Sequence, residues 1–392
     1  MKDNKKIMLI FGGACFQLSL IKQCKSMGFY TVVIDPNPTA IGQFESDAFE
    51  VVNGQDFEGT CNVMDKYEVD HIITVATDKP LLMMQKISAK YNLPFISREA
   101  VENSTDKFRM KEVFVKNGIP CAKYKTISEI TDNLTYPMVI KPRDNSGSRG
   151  VILCNNKEEA LIAFKEAIKH TKLDTLLCES VIGGKEYSLE SIHYNGKTKL
   201  LQITDKIMTP LPYSVEMELT HPCTLSEEKI KEIEELVHKI SVVFEYDNCA
   251  SHNEIRINDG KITVIEVSPR MAGDNIGSHL VPLSTGINME KALIDVVSGK
   301  EPDLNKKFDR ASGIFFFDFP AGKKIKKIHP LEHIKDLKGV AGFKLDLKEG
   351  DTVPRIVSSG SHYGYIILHA VNRKELYELK NKAFKNINIE FE

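Results

Sequence analysis

Two glutamates and an arginine close to one short hairpin are the residues of this sequence whose types and spacing could do chemistry. Apolar-alternating segments flank Asn258-Asp259-Gly260, a pattern typical of a β-hairpin. If all three linking residues form the loop, Glu254 and Glu266 become diagonal neighbours on one face, about 7–8 Å apart at the backbone. The residues expected on the other, buried face are Ile255, Ile257, Thr263, Ile265 and Val267.

Two carboxylates that converge beside Arg270 suit a hard divalent cation that bridges phosphate groups. Mg²⁺ commonly binds through one or two carboxylates together with phosphate oxygens and water. The inference depends on the turn, because a two-residue loop shifts the register and separates the two glutamates. An isolated hairpin of this kind is more often an exposed edge with solvated acids. The rest of the chain is therefore needed to choose between a metal site and an exposed hairpin.

The composition describes a globular, multidomain chain. Its 392 residues predict two or three domains, and an apolar fraction of 42% is sufficient for real cores. The net charge of −2 comes from interspersed charges, which gives no basic footprint for nucleic acid, and no apolar run approaches the length of a membrane span. The apolar run at residues 7–11 is too short for a signal peptide, and the eight cysteines lack metal-ligand spacing. We therefore expect a cytoplasmic protein with reduced thiols and no membrane or nucleic-acid partner.

The start of the chain predicts a β–α–β unit in a parallel, doubly wound sheet. Apolar strands at residues 7–11 and 31–34 enclose a helical pattern that ends at Gly28, and a further strand at residues 69–77 precedes Asp78. Asp35 lies about 20 residues beyond Gly12-Gly13, the spacing of a dinucleotide site in an oxidoreductase. The glycines do not follow the GxGxxG pattern, however. A small-molecule site or a structural tight turn is the favoured use of this loop.

A flexible loop in the middle of the chain has the composition of a phosphate-binding segment. It follows a strand that carries Lys141, and it contains Ser146, Gly147, Ser148 and Gly150. Such a loop is rich in backbone N–H groups that can cover phosphate oxygens, although it lacks the spacing of a P-loop. A mobile hairpin loop is an equally good interpretation of the composition.

Elements around these segments are predicted from caps and periodicity. Thr105 or Asp106 can cap a helix whose first turn carries Lys107. A strand at residues 175–182 carries Glu179, and the next strand places Glu186 and Glu190 on one face, where isolated acids would be solvated. Residues 211–223 are interpreted as a polar connection. Residues 281–298 are predicted to be helical, and the remainder after residue 310 alternates strand signals with a closing helix.

Taken in order, these motifs resemble the ATP-grasp superfamily of carboxylate–amine ligases, over nearly the whole chain. Within it, the run Glu-x-x-Pro-Arg-Met-x-Gly-Asp at residues 266–274 and the C-terminal part are most similar to L-amino-acid ligases. The resemblance implies an α/β and α+β multidomain protein of ATP-grasp architecture: an N-terminal doubly wound parallel sheet, a bilobal ATP-binding domain and a small C-terminal α+β cap. The implied domains are residues 1–104, residues 105–310 with a small lid lobe at about 121–184, and residues 311–392.

The resemblance also implies roles for individual residues. Lys107 and Lys141 would contact ATP phosphates beneath the closed loop at residues 146–150, and Glu186 would hold the ribose hydroxyls. The backbone that would hold adenine belongs to Glu179, Ser180, Val181 and Ile182.

The implied metal is Mg²⁺, with Mn²⁺ as an alternative, bound by Glu254 and Glu266. Relatives commonly have an asparagine ligand where this chain has Ser268, so a serine hydroxyl or a water would have to substitute. Arg270 would stabilise the acyl phosphate and the tetrahedral states, which makes Arg270 and Lys141 the implied catalytic residues. Substrate-proximal candidates are Glu216, His221, Arg270 and Gly273.

The implied reaction is ATP-dependent amide or peptide bond formation through an acyl phosphate, with ADP and phosphate as products. The substrates would be a small carboxylate and an amine, both amino-acid-like, and a homodimer is expected by analogy. Two alternatives stay open within the fold. One is a carboxylase or carbamoyl-phosphate-type enzyme that activates bicarbonate. The other is a noncatalytic ATP-binding module, for which Ser268 is the motive.

Overall fold

In the computed structural model, which describes residues 5–392, the N-terminal part of the chain forms a four-stranded sheet. The first four residues of the predicted N-terminal domain lie outside the described range. The strands are β1 (Ile7–Phe11), β2 (Tyr30–Asp35), β3 (Ala48–Val51) and β4 (His71–Ile73). Their order is β3-β2-β1-β4 and every pair is parallel, which confirms the predicted sheet.

Helices cover both faces of this parallel sheet. The first five helices are α1 (Leu18–Ser26), α2 (Phe57–Tyr67), α3 (Leu81–Tyr91), α4 (Arg98–Thr105) and α5 (Lys107–Lys116). Alternate residues of β1 enter different cores: Leu9 packs with residues of α2 and α3, and Ile10 packs with residues of α1. Burial on both faces explains why β1 is an uninterrupted apolar run. The predicted cap of α5 is confirmed, because the side chain of Asp106 accepts a hydrogen bond from Phe108 N.

The Gly12-Gly13 turn uses Asp35 for its own structure. Both carboxylate oxygens of Asp35 accept backbone hydrogen bonds at 2.8 Å, one from Gly13 N and the other from Asn37 N. A side chain at Gly13 would lie 3.1 Å from Val33 and 3.3 Å from Phe49, so close packing explains that glycine. These contacts favour the tight-turn interpretation over a dinucleotide site.

A small antiparallel lobe follows. Its strands are β5 (Tyr124–Ile127), β6 (Met138–Lys141), β7 (Ile152–Cys154) and β8 (Leu176–Ser180), in the order β5-β8-β6-β7. Helix α6 (Lys157–Ala167) packs on this sheet through buried alanines. The glycine- and serine-rich loop joins β6 to β7, so it leaves the lobe at the end of the strand that carries Lys141.

An eight-stranded antiparallel sheet forms the rest of the molecule with its flanking helices. In chain order the remaining strands are β9 (Lys185–Tyr194), β10 (Lys197–Met208), β11 (Glu216–His221), β12 (Cys249–Asn258), β13 (Lys261–Ser268), β14 (Ala311–Phe316), β15 (Ile325–Ile328), β16 (Val340–Leu345), β17 (Gly364–Ala370) and β18 (Ile389–Phe391). The sheet order is β13-β12-β9-β10-β11-β14-β17-β16, and β15 pairs with β18 separately. Residues 211–223, predicted as a connection, therefore contain the strand β11 in the middle of a sheet. The implied boundary at residue 310 falls inside this sheet, because β11 pairs with β14.

The second half of the chain contributes the last helices. They are α7 (Glu227–Val243), α8 (Val281–Thr285), α9 (Met289–Val297), α10 (Glu332–Lys335) and α11 (Arg373–Lys385). The single helix predicted at residues 281–298 is wrong. A π-helix at Ile276–Leu280 leads into α8, which ends at Gly286 with a φ of 75°, and Asn288 then caps α9.

Among residues 5–392, no helix combines the length and apolar character needed to cross a membrane. All eight cysteines are free thiols.

Candidate active site

The central hairpin has a two-residue loop, which corrects the predicted three-residue loop. Asn258 pairs with Lys261, and the loop residues Asp259 and Gly260 have φ angles of 48° and 75°. Positive φ at both positions belongs to the type I′ turn that suits a twisted hairpin. A two-residue loop alone would separate the two glutamates. They stay together because a β-bulge interrupts the register between Glu254 and Ile255.

That bulge places Glu254 directly opposite Glu266. Ile255 pairs with Val264 on one side of the irregularity and Glu254 pairs with Glu266 on the other, so Ile265 is the extra residue. The two glutamates are thus direct cross-strand partners and closer than the predicted diagonal pair. The prediction was wrong for Thr263 and Ile265, which are only partly buried, whereas Ile262 and Val264 fill the core. Ile257 is also only partly buried, although it packs against that core.

The registers of the neighbouring strands gather charged residues in rows on one face of the large sheet. His252 pairs with Glu190, Glu254 pairs with Ser188, and Arg256 pairs with Glu186. Strand β10 continues these rows, since Lys206 pairs with Glu186. Every second side chain along a strand points to the same face of the sheet. The paired residues on β12, β9 and β10 therefore lie in neighbouring rows on one face.

The centre of this face is the buried ammonium group of Lys206. Its Nζ lies 2.6 Å from Glu254 Oε1, 2.7 Å from Glu186 Oε1 and 3.0 Å from Glu216 Oε1, and the side chain is 2% exposed. Burial alone would lower the pKa of Lys206, but the surrounding carboxylates, Glu186 foremost, hold it well above its usual value. Lys206 was not predicted from the sequence, although period-two alternation in the strand next to Glu186 was a signal that could have identified it.

A buried histidine–glutamate pair adjoins this cluster. His252 Nδ1 lies 2.6 Å from Glu190 Oε1, and His252 Nε2 lies 3.5 Å from Glu254 Oε1. Burial acts to lower the pKa of His252, but the Glu190 carboxylate outweighs it and raises the pKa to about 10. Glu186 and Glu190 are therefore buried and paired, unlike the solvated acids expected of an isolated strand.

Lys107 connects Glu266 to the start of the glycine- and serine-rich loop between β6 and β7. Lys107 Nζ lies 2.9 Å from Glu266 Oε2 and donates a 2.8 Å hydrogen bond to Asn145 O. The loop is anchored nearby, since Arg143 Nη2 and Nε contact the two carboxylate oxygens of Asp106 at 2.6 and 3.1 Å. The capping residue of α5 therefore also fixes the start of the loop.

Two buried lysines form ion pairs with one glutamate of the small lobe. Lys141 Nζ lies 2.9 Å from Glu179 Oε2, and Lys111 Nζ lies 3.3 Å from Glu179 Oε1. Lys111 also donates a 2.9 Å hydrogen bond to Ile265 O, which ties the lobe to the bulged strand. Lys111 is a residue that the sequence analysis missed, because nothing in its helix pattern distinguishes it from a surface lysine.

The segment implied to hold adenine lies beside the residue implied to hold ribose. After Glu179 the chain becomes exposed at Ser180 and Val181, and Ile182 O accepts a 2.7 Å hydrogen bond from Arg256 Nη1. Arg256 Nε donates at 2.9 Å to Glu186 Oε2. One arginine thus joins the exposed segment to Glu186.

The tip of the loop at residues 146–150 is held by contacts within the loop and with the C-terminal part of the chain. Gly147, Ser148 and Gly150 all have positive φ, and Arg149 Nε donates a 3.0 Å hydrogen bond to Ser146 O. The C-terminal part of the chain contacts this tip, because Ser359 N donates to Gly147 O at 3.3 Å and Ser359 Oγ donates to Glu216 Oε2 at 3.1 Å.

Arg270 is locked against the N-terminal sheet. Its Nε and Nη2 donate to the two oxygens of Asp78 at 2.9 and 3.0 Å, and the Ser268 hydroxyl donates to Asp78 Oδ1 at 2.5 Å. Burial would raise the pKa of Asp78, but Arg270 outweighs it and lowers the pKa to about 2. Asp78 follows β4, the last strand of the parallel sheet, on the carboxyl side where such sheets bind ligands.

Two substrate-proximal candidates separate from one another. Glu216 belongs to the Lys206 cluster, whereas His221 stands at the other end of the same strand. The ring of His221 hydrogen-bonds Ile203 O at 3.0 Å, and burial lowers its pKa. His221 is thus tied to the neighbouring strand, and its role as a substrate contact stays a prediction. Gly273 lines a small cavity with Ala76, next to Asp274, whose pKa is raised to about 7 by loss of hydration and by Glu216.

Three carboxylates surround the position that the Lys206 ammonium group occupies. Glu186, Glu216 and Glu254 each offer an oxygen, and these oxygens lie within 4.8 Å of one another. Carboxylate oxygens are the ligands that Mg²⁺ and Mn²⁺ prefer. The ammonium groups of Lys107, Lys141 and Lys206 suit the phosphates of a nucleotide.

Family comparisons agree with this arrangement. Residues 134–278 match the model of the ATP-grasp domain, and residues 315–392 match that of L-amino acid ligase C-terminal domain 2. The chain is 21% identical over 322 residues to an L-arginine-specific L-amino acid ligase from Bacillus subtilis, covering 79% of this chain and 77% of that protein.

Solved structures share the fold. An L-amino acid ligase from Bacillus licheniformis superposes with a TM-score of 0.85 at 19% identity, over 99% of both chains. A phosphoribosylglycinamide synthetase from Anaerococcus prevotii superposes with a TM-score of 0.78 at 20% identity, over 99% of this chain and 100% of that one. The predicted fold class is confirmed.

Proposed function

We propose that this chain, an ATP-grasp ligase with an L-amino acid ligase C-terminal domain, uses ATP to join the carboxylate of one amino acid to the amine of another. The reaction passes through an acyl phosphate and releases ADP and phosphate. The observation that carries the proposal is the direct pairing of Glu254 with Glu266, each of which contacts a lysine ammonium group, Lys206 and Lys107 respectively.

Charge explains why the reaction needs this arrangement. A carboxylate that attacks the γ-phosphorus of ATP approaches a group of the same sign, so cations must offset the repulsion by positioned electrostatics. Lys107, Lys141 and Lys206 supply ammonium groups that are already desolvated and oriented by carboxylates. Mg²⁺ held by Glu254 and Glu266 would supply further neutralisation of the phosphate oxygens.

The described residues include a proposed contact for each part of the nucleotide. The exposed backbone after Glu179 would hold the adenine, and Glu186, oriented by Arg256, would hold the ribose hydroxyls. The loop at residues 146–150 would cover the phosphates with its N–H groups. Closure of that loop would exclude water, which otherwise hydrolyses an acyl phosphate.

Arg270 is proposed to orient the substrate carboxylate and to stabilise the charge that develops on it. Asp78 fixes the guanidinium by two hydrogen bonds, so the orientation exists before substrate binds. Ser268 contributes to this fixation through its hydrogen bond to Asp78. In this arrangement Ser268 is a positioning residue, and Glu254 and Glu266 suffice as the carboxylate ligands of the metal.

The choice of amino acids as substrates is supported by the C-terminal domain match and by relatives named as L-amino acid ligases. The test is phosphate release from Mg·ATP across amino acids supplied singly and in pairs, with bicarbonate as a separate arm. We expect turnover that requires a pair and yields ADP. Formation of AMP and pyrophosphate would contradict the acyl-phosphate route, and turnover with bicarbonate alone would favour a carboxylase-type reaction.

A further inference from the structure

A short turn in the C-terminal part of the chain lies between the loop at residues 146–150 and the charged face of the large sheet. We call this turn, residues 358–362, the latch segment. Ser359 N donates a 3.3 Å hydrogen bond to Gly147 O at the tip of the loop, and Ser359 Oγ donates a 3.1 Å hydrogen bond to Glu216 Oε2. One residue of the latch segment therefore bonds the loop and Glu216 at the same time.

Glu216 continues this contact to the centre of the charged face. Its Oε1 lies 3.0 Å from the buried Lys206 Nζ, which also lies 2.6 Å from Glu254 Oε1 and 2.7 Å from Glu186 Oε1. Under the proposed function, Glu254 binds the metal and Glu186 binds the ribose. The loop that would cover the phosphates is thus linked, through Ser359 and Glu216, to groups that would hold other parts of the nucleotide.

The latch segment keeps its shape through its own contacts and is anchored to the large sheet. It contains a 3₁₀ turn at Ser359–Ser361, in which Ser358 and Ser361 cap one another reciprocally. The ring of His362 stacks on Phe316 of β14, with ring centroids 3.8 Å apart. Because β14 pairs with β11, the strand that carries Glu216, the latch segment has a fixed position beside the charged face.

The tip of the loop, by contrast, has freedom to change its conformation. Gly147 and Gly150 have φ angles of 69° and 75°, and Gly147 is exposed. Glycine backbone has access to many conformations, so holding it in one of them costs entropy. A hydrogen bond from the anchored Ser359 to Gly147 O offsets part of this cost and favours the loop position seen in the structure.

We propose that Ser359 is a positioning residue that couples closure of the loop at residues 146–150 to the placement of Glu216. The inference rests on the proposed function. A cationic substrate group that fixes Glu216, such as the ammonium group of an amino acid, favours the closed loop through Ser359. A nucleotide that closes the loop favours binding of that group by the same factor, because such coupling is reciprocal.

Trypsin cleavage after Arg149, inside the loop, measures loop closure without any turnover. The rate of this cut is followed by mass spectrometry on the ligand-free full chain. We expect Ser359→Ala, which removes the hydroxyl bonded to Glu216, to be cut about fivefold faster than the wild type, and Ser359→Thr, which keeps a hydroxyl, to stay within about twofold. Gly360→Ala, at an exposed position of the same turn, is the matched control and should be cut at the wild-type rate. An unchanged rate in Ser359→Ala would overturn the proposal.

A second variant tests whether the effect passes through Glu216. Glu216→Gln removes the charge of the acceptor and should also speed the cut after Arg149, by about threefold, although the substituted residue belongs to β11 and not to the loop. In the double variant with Ser359→Ala the two effects should not multiply, because both substitutions break one linkage. Rates that multiply would show independent effects and would overturn the coupling. Circular dichroism checks that each variant is folded.

Turnover separates this inference from the proposed function. With an amino-acid pair, Ser359→Ala should form more ADP per amide bond than the wild type, since water reaches an acyl phosphate beneath a loosened loop. A merely structural role would lower ADP and amide formation together, and an unchanged ratio would therefore contradict the positioning role.

The two proposals can also fail independently. A chain in which both single variants are cut faster, but which forms no ADP with any amino-acid pair, would contradict the ligase proposal and support the coupling. A chain that forms ADP with an amino-acid pair, but in which Ser359→Ala is cut at the wild-type rate, would contradict the coupling and support the ligase proposal.

Discussion

Asp78 and Arg270 form a two-bond ion pair, at 2.9 and 3.0 Å, that joins the N-terminal sheet to the end of the central hairpin. The residues are far apart in the chain, and the pair brings the carboxyl edge of the parallel sheet to the charged face of the large antiparallel sheet. The orientation of the arginine thus depends on a residue that follows a strand of the N-terminal sheet.

Replacing Asp78 by asparagine should weaken both stability and activity. The Arg270 guanidinium loses its charged partner while staying largely buried, so Asp78→Asn is expected to lower the free energy of unfolding by about 2–3 kcal/mol. Urea denaturation measures this change, with the exposed Asp174→Asn as the control. A denaturation midpoint equal to that of the wild type would show that the pair contributes nothing to stability.

Neutralising Glu266 should stop the reaction without unfolding the protein. Glu266→Gln keeps the shape of the side chain but removes a carboxylate beside Lys107, and we expect ADP formation to fall by about 10²-fold or more. Steady-state phosphate release measures the loss, and circular dichroism checks the fold. Glu301→Gln, at an exposed position, is the matched control. Turnover of the Glu266 variant at the wild-type rate would remove the metal assignment.

Ser268 is expected to act on Arg270 through Asp78 and not on the metal. Ser268→Ala removes a hydrogen bond to a charged acceptor, which should lower the free energy of unfolding by about 1–2 kcal/mol. The Mg²⁺ concentration that gives half-maximal turnover should stay within about twofold of the wild-type value, because the two carboxylate ligands remain in place. A tenfold or larger increase in that concentration would identify Ser268 as a metal ligand after all.

Removing the Lys206 ammonium group should expose the affinity of its carboxylates for a cation. Lys206→Met leaves the oxygens of Glu186, Glu216 and Glu254 within 4.8 Å of one another without their shared partner. We expect a destabilisation of about 3–5 kcal/mol in metal-free buffer. Because a ligand stabilises the state that binds it, Mg²⁺ should raise the melting temperature of the variant more than that of the wild type.

Samples in metal-free buffer provide the comparison for the Mg²⁺ experiment with Lys206→Met. If Mg²⁺ shifts the melting temperature of the Lys206 variant by no more than that of the wild type, the carboxylate cluster is not a cation site.

His193 should make the protein less stable below pH 6.5. Its ring lies in a buried network with Thr198 and Ser251, at 3.0 and 2.8 Å, and burial lowers its pKa to about 4. An unfolded histidine takes up a proton near pH 6.5, and the folded one resists until about pH 4. The free energy of unfolding should therefore fall as the pH decreases across that window, by up to about 3 kcal/mol.

Denaturation curves between pH 8 and 4 check this expectation against a His193→Asn variant, whose side chain does not titrate. The variant should show a shallower pH dependence. Parallel curves for the two proteins would show that His193 titrates normally in the folded state.

Local sequence patterns were sufficient to predict strands that are buried on both faces and helices whose capping residue lies next to them in the chain. The apolar run of β1 predicted a parallel strand because helices cover both sides of it, and the Asp106 cap lies next to the helix that it starts. The helix predicted across Gly286 failed, since the helical periodicity continues on both sides of a left-handed residue that ends α8. Residues 211–223 were misread because their prolines and polar residues hide a strand that only its neighbours make necessary.

By itself, the sequence determined the order of the chemical motifs and, through them, the ATP-grasp resemblance, because types and spacing are local properties. Only the tertiary structure decided which residues meet. A one-residue bulge set Glu254 opposite Glu266, and strand registers between distant segments brought Lys206 to three carboxylates. Period-two alternation means that one residue of slip moves every side chain to the other face. Contacts of this kind therefore depend on the packed sheet, in which all the registers are satisfied together.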